Sequence, residues 1–187
     1  MTALPSPPAA PLLVTERLEL WLPARHDVAA MLAIVSDPST GRYLGPQPSA
    51  ADHFTRFCRN GGSWLLYGYG SLMLRPRASA EVIGWCGIFH SWRGLGADFD
   101  DRPEAGWILR HDCCGKGLAR EAMDAAIAWF ERMHGAQPIV CMIEPDNAPS
   151  LTLAGRLGFA PLRDSLLPDG SAMRLLMRPA GFAMPPA

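Results

Sequence analysis

Apolar and polar positions along the chain follow two periods. Leu18, Leu20 and Leu22 alternate with Arg17, Glu19 and Trp21, the period of two expected of a strand with one buried face. His26 to Val35 places Val28, Met31, Leu32 and Val35 at helical spacing, and Asp37-Pro38 stops the run because a residue before proline disfavours helical dihedrals. Residues 39–49, with Gly41, Gly45, Pro46 and Pro48, predict a loop, and Ala50 to Arg59 a short helix ended by Gly61-Gly62. Trp64 to Leu74 and Val82 to Phe89 read as a hairpin that turns near 76–80. Ala105 to Leu109 is a third strand after a Gly/Asp-rich loop at 94–102.

In the second half, Gly115 to His134 predicts a long helix with Ala119, Met123, Ala126, Phe130 and Met133 on one stripe and Gly135 to end it. Ile139 to Ile143 is wholly apolar, as a strand buried on both faces should be. Asn147 to Leu157 reads as a helix capped by Asn147, with Pro149 in its first turn and Gly158 at its end. Phe159 to Leu162 and Met173 to Met177 are the last strands, around the turn Pro168-Asp169-Gly170. The order is one strand, two helices, three strands, helix, strand, helix, two strands. It predicts an α+β (mixed α/β) domain, because the regular alternation of a doubly wound fold is missing. Residues 1–13 and 179–187 read as Pro/Ala tails around one domain at 14–178.

Composition supports a single folded unit: 187 residues, 49% hydrophobic and 19% charged. A net charge of −1 leaves no basic excess to hold a polyanionic backbone, so nucleic acid is not an expected partner. Five cysteines, an odd number without C-x-x-C spacing, point away from a disulfide framework and from zinc, and no metal is expected. The opening residues lack the charged start and apolar run of a signal peptide, and no apolar stretch nears the ~18 residues of a membrane helix, so a cytoplasmic protein without a membrane partner is expected. Of the 17 cations a single one is lysine, Lys116.

That lysine lies in the segment richest in chemistry, Glu104-Ala-Gly-Trp-Ile-Leu-Arg-His-Asp-Cys-Cys-Gly-Lys-Gly-Leu-Ala-Arg-Glu-Ala122. A buried strand runs into a loop with Gly115 and Gly117, and the loop opens the long helix. Unpaired amides of a first helical turn, the positive dipole end and close backbone approach at glycine make a phosphate seat. The lysine is followed by Gly117 and no glycine stands five residues before it, which excludes a Walker-type P-loop. Arg120 occupies the third glycine position of a dinucleotide fingerprint, and the helix comes too late in the chain for a Rossmann domain.

The segment resembles the acyl-CoA loop [QR]-x-x-G-x-[GA] of the GCN5-related N-acetyltransferase (GNAT) superfamily, matching at Gly115, Gly117 and the following Leu-Ala-x-Glu-Ala, with Asp112 in place of Gln or Arg. Glu144-Pro-Asp-Asn-Ala-Pro-Ser150 through Leu157-Gly158-Phe159 resembles the superfamily's P-x-N-x-x-S…L-G-F block. Thr15-Glu16-Arg17-Leu18 and Val82-Ile-Gly-Trp-Cys-Gly87 resemble its RimJ/RimL-like branch. The resemblance implies the GNAT acyl-CoA N-acyltransferase fold, with a central mixed, mostly antiparallel twisted sheet of about six to seven strands flanked by helices. It also implies an acetyl-CoA-dependent N-acetyltransferase acting on a primary amine, either a protein N-terminus or a small molecule. The alternative is a non-catalytic acyl-CoA-binding module, and a homodimer is among the states the resemblance allows.

On the same resemblance, two central strands splay apart and pantetheine lies between them. Ile108, Leu109 and Arg110 then face pantetheine, Cys114, Gly115, Lys116, Gly117, Leu118 and Ala119 hold the diphosphate, and Asn147 and Ser150 stand near the thioester. Asn147 is equally read as a helix cap. Attack requires a neutral amine, so a carboxylate base is expected. Glu104 is the first candidate and His90 the second, the plain alternative for each being an ordinary strand-end residue. Ser150 is the candidate to assist thiolate departure, because the tyrosine many members carry four residues later is Ala154 here and Tyr43, Tyr67 and Tyr69 all precede the loop. Cys113-Cys114 reads as loop packing rather than a covalent nucleophile, and Trp107, Trp129 and Phe130 as core. The loop 39–49, the segment 91–102 and the turn 164–171 are expected to meet the acceptor. Asp98, Asp100 and Asp101 would either greet a cationic amine or form an exposed acidic loop.

Overall fold

A computed structural model describes residues 10–182. Its framework is an eight-stranded sheet of β1 (Leu13–Val14), β2 (Leu18–Trp21), β3 (Ser71–Pro76), β4 (Gly84–Ser91), β5 (Arg102–Leu109), β6 (Ile139–Ile143), β7 (Ala160–Leu166) and β8 (Ala172–Arg178), in the order β1-β2-β3-β4-β5-β6-β8-β7. The helices are α1 (Asp27–Ser36), α2 (Pro38–Gly41), α3 (Ala50–Tyr67), α4 (Leu118–His134) and α5 (Ala148–Arg156), with a 3-10 turn at His111–Cys113. Neighbouring strands are antiparallel except β5 and β6, whose parallel pairing requires the crossover that α4 supplies. The sheet has the mixed, mostly antiparallel character expected. It gains its eighth strand from Leu13–Val14, which pairs with Leu20 and Glu19 at the boundary between the expected tail and the domain.

Alternation sorts the side chains onto two covered faces. Leu20, Leu72, Cys86 and Ile88 pack with Met123, Ala126, Ile127 and Phe130 of α4, Ala154 of α5 and Leu157 just after it in the main core. Each large apolar side chain fully withdrawn from water there contributes roughly 1.5–3 kcal/mol. On the other face Met73, Trp85 and Ile108 meet Met31 and Ile34 of α1 and Phe57 of α3, while Val140 and Leu175 meet Leu95 and Phe99 of the β4–β5 loop. On α4 the predicted stripe holds through Phe130 but not at Met133, which is 61% exposed. Core contact continues instead through His134, stacked on Phe130 with ring centroids 5.3 Å apart and set edge-on to Tyr69. In a helix, residue i+4 lies closer than i+3 to the direction of residue i.

The largest departure from the sequence pattern is α3. It runs through Gly61 and Gly62 to Tyr67, so the first half of the predicted strand Trp64–Leu74 is helical and β3 starts at Ser71. Its true stop is Gly68, in the left-handed region at φ 75°, whose N–H returns to the Trp64 carbonyl at 3.2 Å. Helical geometry brings the Ser63 hydroxyl to the Tyr69 carbonyl at 2.7 Å and the Trp64 indole N–H to the Ser71 carbonyl at 2.8 Å, and these bonds outweigh the propensity cost of two glycines. The loop predicted at 39–49 also contains the short helix α2, whose Thr40 N–H is capped by Asp37 at 2.8 Å.

The described part of the C-terminal segment is docked rather than tail-like. Arg178 is fully buried, donating to the Leu157 carbonyl at 3.0 Å, the Phe182 carbonyl at 2.8 Å and the Glu131 carboxylate. The Phe182 ring occupies the space a side chain at 158 would need, since a Cβ on Gly158 would lie 2.5 Å from it. Residues 1–9 and 183–187 of the predicted tails lie outside the described residues. No helix among the described residues is long and apolar enough to cross a membrane, and no group of three or more His, Cys, Asp or Glu among them is placed to hold a metal ion.

Candidate active site

β5 and β6 pair at one point, Glu104 opposite Val140, and diverge beyond it. Glu104, Trp107 and Ile108 of β5, Met142 of β6, and Asn147 and Ser150 at the start of α5 line a cavity of about 420 Å3, within the range of small-molecule sites. Trp85 and Phe89 of β4 form part of its wall, edge to face with centroids 5.8 Å apart. They can lie there because Gly106 between them has no side chain, and a Cβ would stand 2.9 Å from both rings. Tyr43, Leu44, Gly45, Pro46 and Pro48, then Arg93, then Leu167, Asp169 and Ser171 bring all three of the segments 39–49, 91–102 and 164–171 to this cavity.

Of the three residues at and just after the end of β5 expected beside pantetheine, Ile108 lines the cavity, whereas Leu109 packs against the main core. Arg110 is turned away: its N–H is bonded to the Ile83 carbonyl at 2.8 Å and its guanidinium is paired with Asp112 and Glu81. The hydrogen bonds of Asp112, then those of Glu81, raise the Arg110 pKa above the usual arginine value, and Arg110 in turn holds Asp112 below the usual carboxylate range. The negative charge that replaces the family's Gln or Arg is thus neutralised by its own neighbour two residues back.

Downstream, Gly115 and Gly117 both lie in the left-handed region, at φ 74° and 77°, where a Cβ is disfavoured. Gly117 is the N-cap of α4 and no side chain caps that helix, so its first-turn amides are left to an outside acceptor. The opening of the chain ties this loop down. Arg17 donates to the Lys116 carbonyl at 2.8 Å and to Glu121 of α4 at 2.6 Å, and the Thr15 hydroxyl donates to Glu121 at 2.6 Å. Burial, the largest single influence, pushes the Glu121 pKa up, but the bonds from Thr15 and Arg17 together bring it below the usual range. Sequence reading registers Thr15-Glu16-Arg17 as a resemblance and misses this clamp, because the partners are about a hundred residues apart. Lys116 itself is exposed, as are Cys114, Gly115 and Gly117, while Leu118 and Ala119 are half-buried in the first turn.

The two catalytic candidates both reach the cavity. Glu104 is 3% exposed, which removes the reading of an exposed strand-end carboxylate. Arg93 holds it in a two-pronged pair, Nε and Nη2 each at 2.7 Å, and the Ser91 hydroxyl also donates to it. Ser150, in the first turn of α5, donates its N–H to the Asn147 side-chain carbonyl at 3.2 Å. Asn147 is therefore a helix cap and a cavity residue at once. The Trp107 indole N–H donates to the Ser150 hydroxyl oxygen at 3.3 Å, and since indole is a donor only, the Ser150 proton is free for another acceptor. Trp107 is thus a site residue as well as a core contact, a role that an apolar strand pattern conceals.

His90 is a correction. It follows Phe89 by one residue, so its side chain leaves the opposite face of the sheet, stacked on Tyr67 with centroids 3.9 Å apart and bonded to the Tyr69 hydroxyl at 3.0 Å and to Asp101 at 3.1 Å. The acidic loop is likewise spoken for. Asp98 pairs with Arg163 at 2.8 Å, Asp100 accepts the Arg93 and Gly96 amides, and Asp101 faces His90, so none of the three lines the cavity as a greeting for a cationic amine. Burial raises the Cys113 and Cys114 thiols above their ordinary pKa, and neither lines the cavity, in keeping with loop packing. Ala154, at the position of the family tyrosine, is fully buried in the main core, and of the tyrosines only Tyr43 lines the cavity.

The chain matches the family model described as acetyltransferase (GNAT) domain over residues 17–160. It is similar to a putative GnaT-family acetyltransferase of known structure from Bordetella pertussis, with 34% identity and a TM-score of 0.80 over 89% of this chain and 98% of that one. An acetyltransferase structure from Agrobacterium tumefaciens is 26% identical, with a TM-score of 0.77 over 90% and 94% of the two chains. An uncharacterized N-acetyltransferase, p20, of Bacillus licheniformis is 28% identical over 166 residues, which cover 84% of this chain and 85% of that protein. With its single β5–β6 pairing, its uncapped α4 and a match across most of its length, the chain belongs to the GNAT acetyltransferase family.

Proposed function

We propose that this protein transfers the acetyl group of acetyl-CoA to a primary amine by direct attack, and that it works in the cytoplasm. The observation that carries the reading is the divergence of β5 and β6, with free α4 amides at one end and Glu104 and Ser150 at the other. Acetyl-CoA supplies an activated acyl group on a good leaving thiol. The residues of this chain supply its seat and the proton chemistry.

In this reading the amides after Cys114, through Gly117 and into Leu118 and Ala119, take the diphosphate, with Lys116 adding a mobile positive charge. The open edge of β5 at Ile108 and the start of β6 flank pantetheine. Glu104 has two oxygens and about four lone-pair positions, of which Arg93 and Ser91 use three, so one is left to accept the amine proton directly or through a water. Ser150, oriented by Trp107 and Asn147, turns its proton toward the departing sulfur. The opening motif and the β4 motif align this reading with RimJ/RimL-like enzymes, in which the amine is either a protein N-terminus or a small molecule.

The test is thiol release from acetyl-CoA against a panel of peptides, amino acids, polyamines and aminoglycosides. Release with at least one amine is expected, and Ser150→Ala should lower kcat by about 10²-fold. Unchanged turnover in that variant removes Ser150 from the mechanism. Binding of acetyl-CoA without release across the panel would instead identify an acyl-CoA-binding module, the reading favoured by Ala154 at the position of the family tyrosine.

A further inference from the structure

The proposed chemistry leaves a second set of charges on the same cavity unused. Arg56 and Arg59 lie one turn apart on α3 and both line the cavity, together with Arg93. Arg93 is committed to Glu104 through two bonds. Among the described residues, Arg56 and Arg59 form no ion pair and no side-chain hydrogen bond, and both remain accessible to an incoming molecule. Of the three guanidinium groups on the lining, only that of Arg93 has a carboxylate within ion-pair distance.

The other carboxylates on the lining, Asp169 and Glu144, form no ion pair with Arg59, although the Arg56 charge contributes to holding Asp169 below the usual carboxylate range. Asp169, on the β7–β8 turn, is held by the Ser171 amide at 2.9 Å, and Glu144 lies at the exit of β6. Loss of water around Arg59, then repulsion from Arg93, press its pKa below the usual arginine value, with Glu104 pulling the other way. Arginine does not give up its proton at physiological pH, so the Arg59 guanidinium, which has no carboxylate within ion-pair distance, is satisfied by taking in an anion. A further polar group points to the same need. The Ser71 hydroxyl on β3 is 1% exposed, lines the cavity and has no hydrogen-bond partner. Its register neighbour is Gly87, whose own neighbour is Gly106, so that row itself carries no Cβ, and the rings of Trp85 and Phe89 lie over Gly106.

We infer that the acceptor is a small amine that also carries an anionic group, a carboxylate or a phosphate, bound by Arg59 with Arg56 beside it and with the Ser71 hydroxyl as a further donor. This inference rests on the proposed transfer to an amine and gives that amine its chemical class. It is opposite in sign to the expectation drawn from Asp98, Asp100 and Asp101, which are engaged by Arg163, by the Arg93 and Gly96 amides, and by His90.

The experiment compares matched acceptors on the full chain at saturating acetyl-CoA: amino acids, the corresponding amino acid amides, phosphoethanolamine and putrescine. For the preferred anionic class, kcat/KM should exceed that of the neutral amides by about tenfold or more, mainly through KM, because a hydrogen bond to a charged group is being gained. Amino acids against phosphoethanolamine tells carboxylate from phosphate. The Arg59→Gln variant should lose the preference and Arg59→Lys recover part of it, while CoA affinity stays at the wild-type value in both. Amides or putrescine acetylated as well as the acids, or a preference that survives Arg59→Gln, overturns the inference and leaves the proposed transfer standing. If no amine is acetylated, the proposed transfer fails on its own, and the anion site is read from melting temperature at saturating CoA with added glutamate or inorganic phosphate. A rise in wild type that Arg59→Gln abolishes supports the site, and equal behaviour of the two proteins overturns it.

Discussion

Lys116 and Gly117 are adjacent and carry unequal duties. The lysine side chain is exposed and its carbonyl serves Arg17, so its charge contributes to anion binding only across solvent. Gly117 sets the backbone at φ 77° that aims the α4 amides, and a Cβ there would sit 3.4 Å from Arg17 Nη2. Lys116→Ala should therefore weaken CoA by no more than about threefold, a loss of the order expected for an exposed charge pair. Gly117→Val, which forces a β-branched residue into the left-handed region, should abolish measurable binding. Arg17→Ala removes the bonds to Lys116 and Glu121 together and should fall between the two. Calorimetric titration with CoA ranks the three variants, and equal losses at 116 and 117 would contradict this division.

At the scale of the element, α3 shows which glycine stops a helix. Gly61 and Gly62 have helical backbone and nothing within 4 Å of an added Cβ, so each glycine costs helix stability without a packing return. Gly62→Ala should stabilise the protein by about 0.5–1 kcal/mol. Gly68→Ala should destabilise it by about 1 kcal/mol or more, since alanine must then hold φ 75°. Thermal or urea unfolding separates the two outcomes, and a destabilised Gly62→Ala would mean that the helix break predicted from the sequence has a role in the folded chain. The same element carries the cavity's charges. Had α3 ended at Arg59, the Ser63 and Trp64 bonds that fix its orientation would be missing, and with them the placement of Arg56 and Arg59.

For the whole molecule, the carboxylates that join distant segments govern acid stability. Glu121 ties the opening of the chain to α4 and Asp98 ties the β4–β5 loop to Arg163 of β7, while Asp112 pairs locally with Arg110; all three have pKa values below their ordinary ones. A depressed carboxylate pKa adds stability that is present above the unfolded value and lost as pH falls through the folded one. Melting temperature should therefore be flat with respect to these groups above about pH 5 and fall as pH drops below about 4. Glu121→Gln should melt lower at neutral pH and lose less on acidification, whereas an unchanged acid limb would show that Glu121 is not one of the groups responsible. Much of this architecture is written in local chemistry. The strands β2, β4 and β6, the helices α4 and α5, Asn147 as a cap and the Gly115–Gly117 seat follow from alternation, helical spacing and turn residues, which act between near neighbours in the chain. The family resemblance adds Glu104, Ser150 and the β5–β6 gap as expectations. The extension of α3, the side of the sheet taken by His90, the engagement of the acidic loop, the pairing of Glu104 with Arg93, and the Arg17–Glu121 clamp were decided by tertiary structure. Each depends on which groups separated in sequence become neighbours in space, and a hydrogen bond or ion pair between distant residues leaves no periodic trace in the sequence.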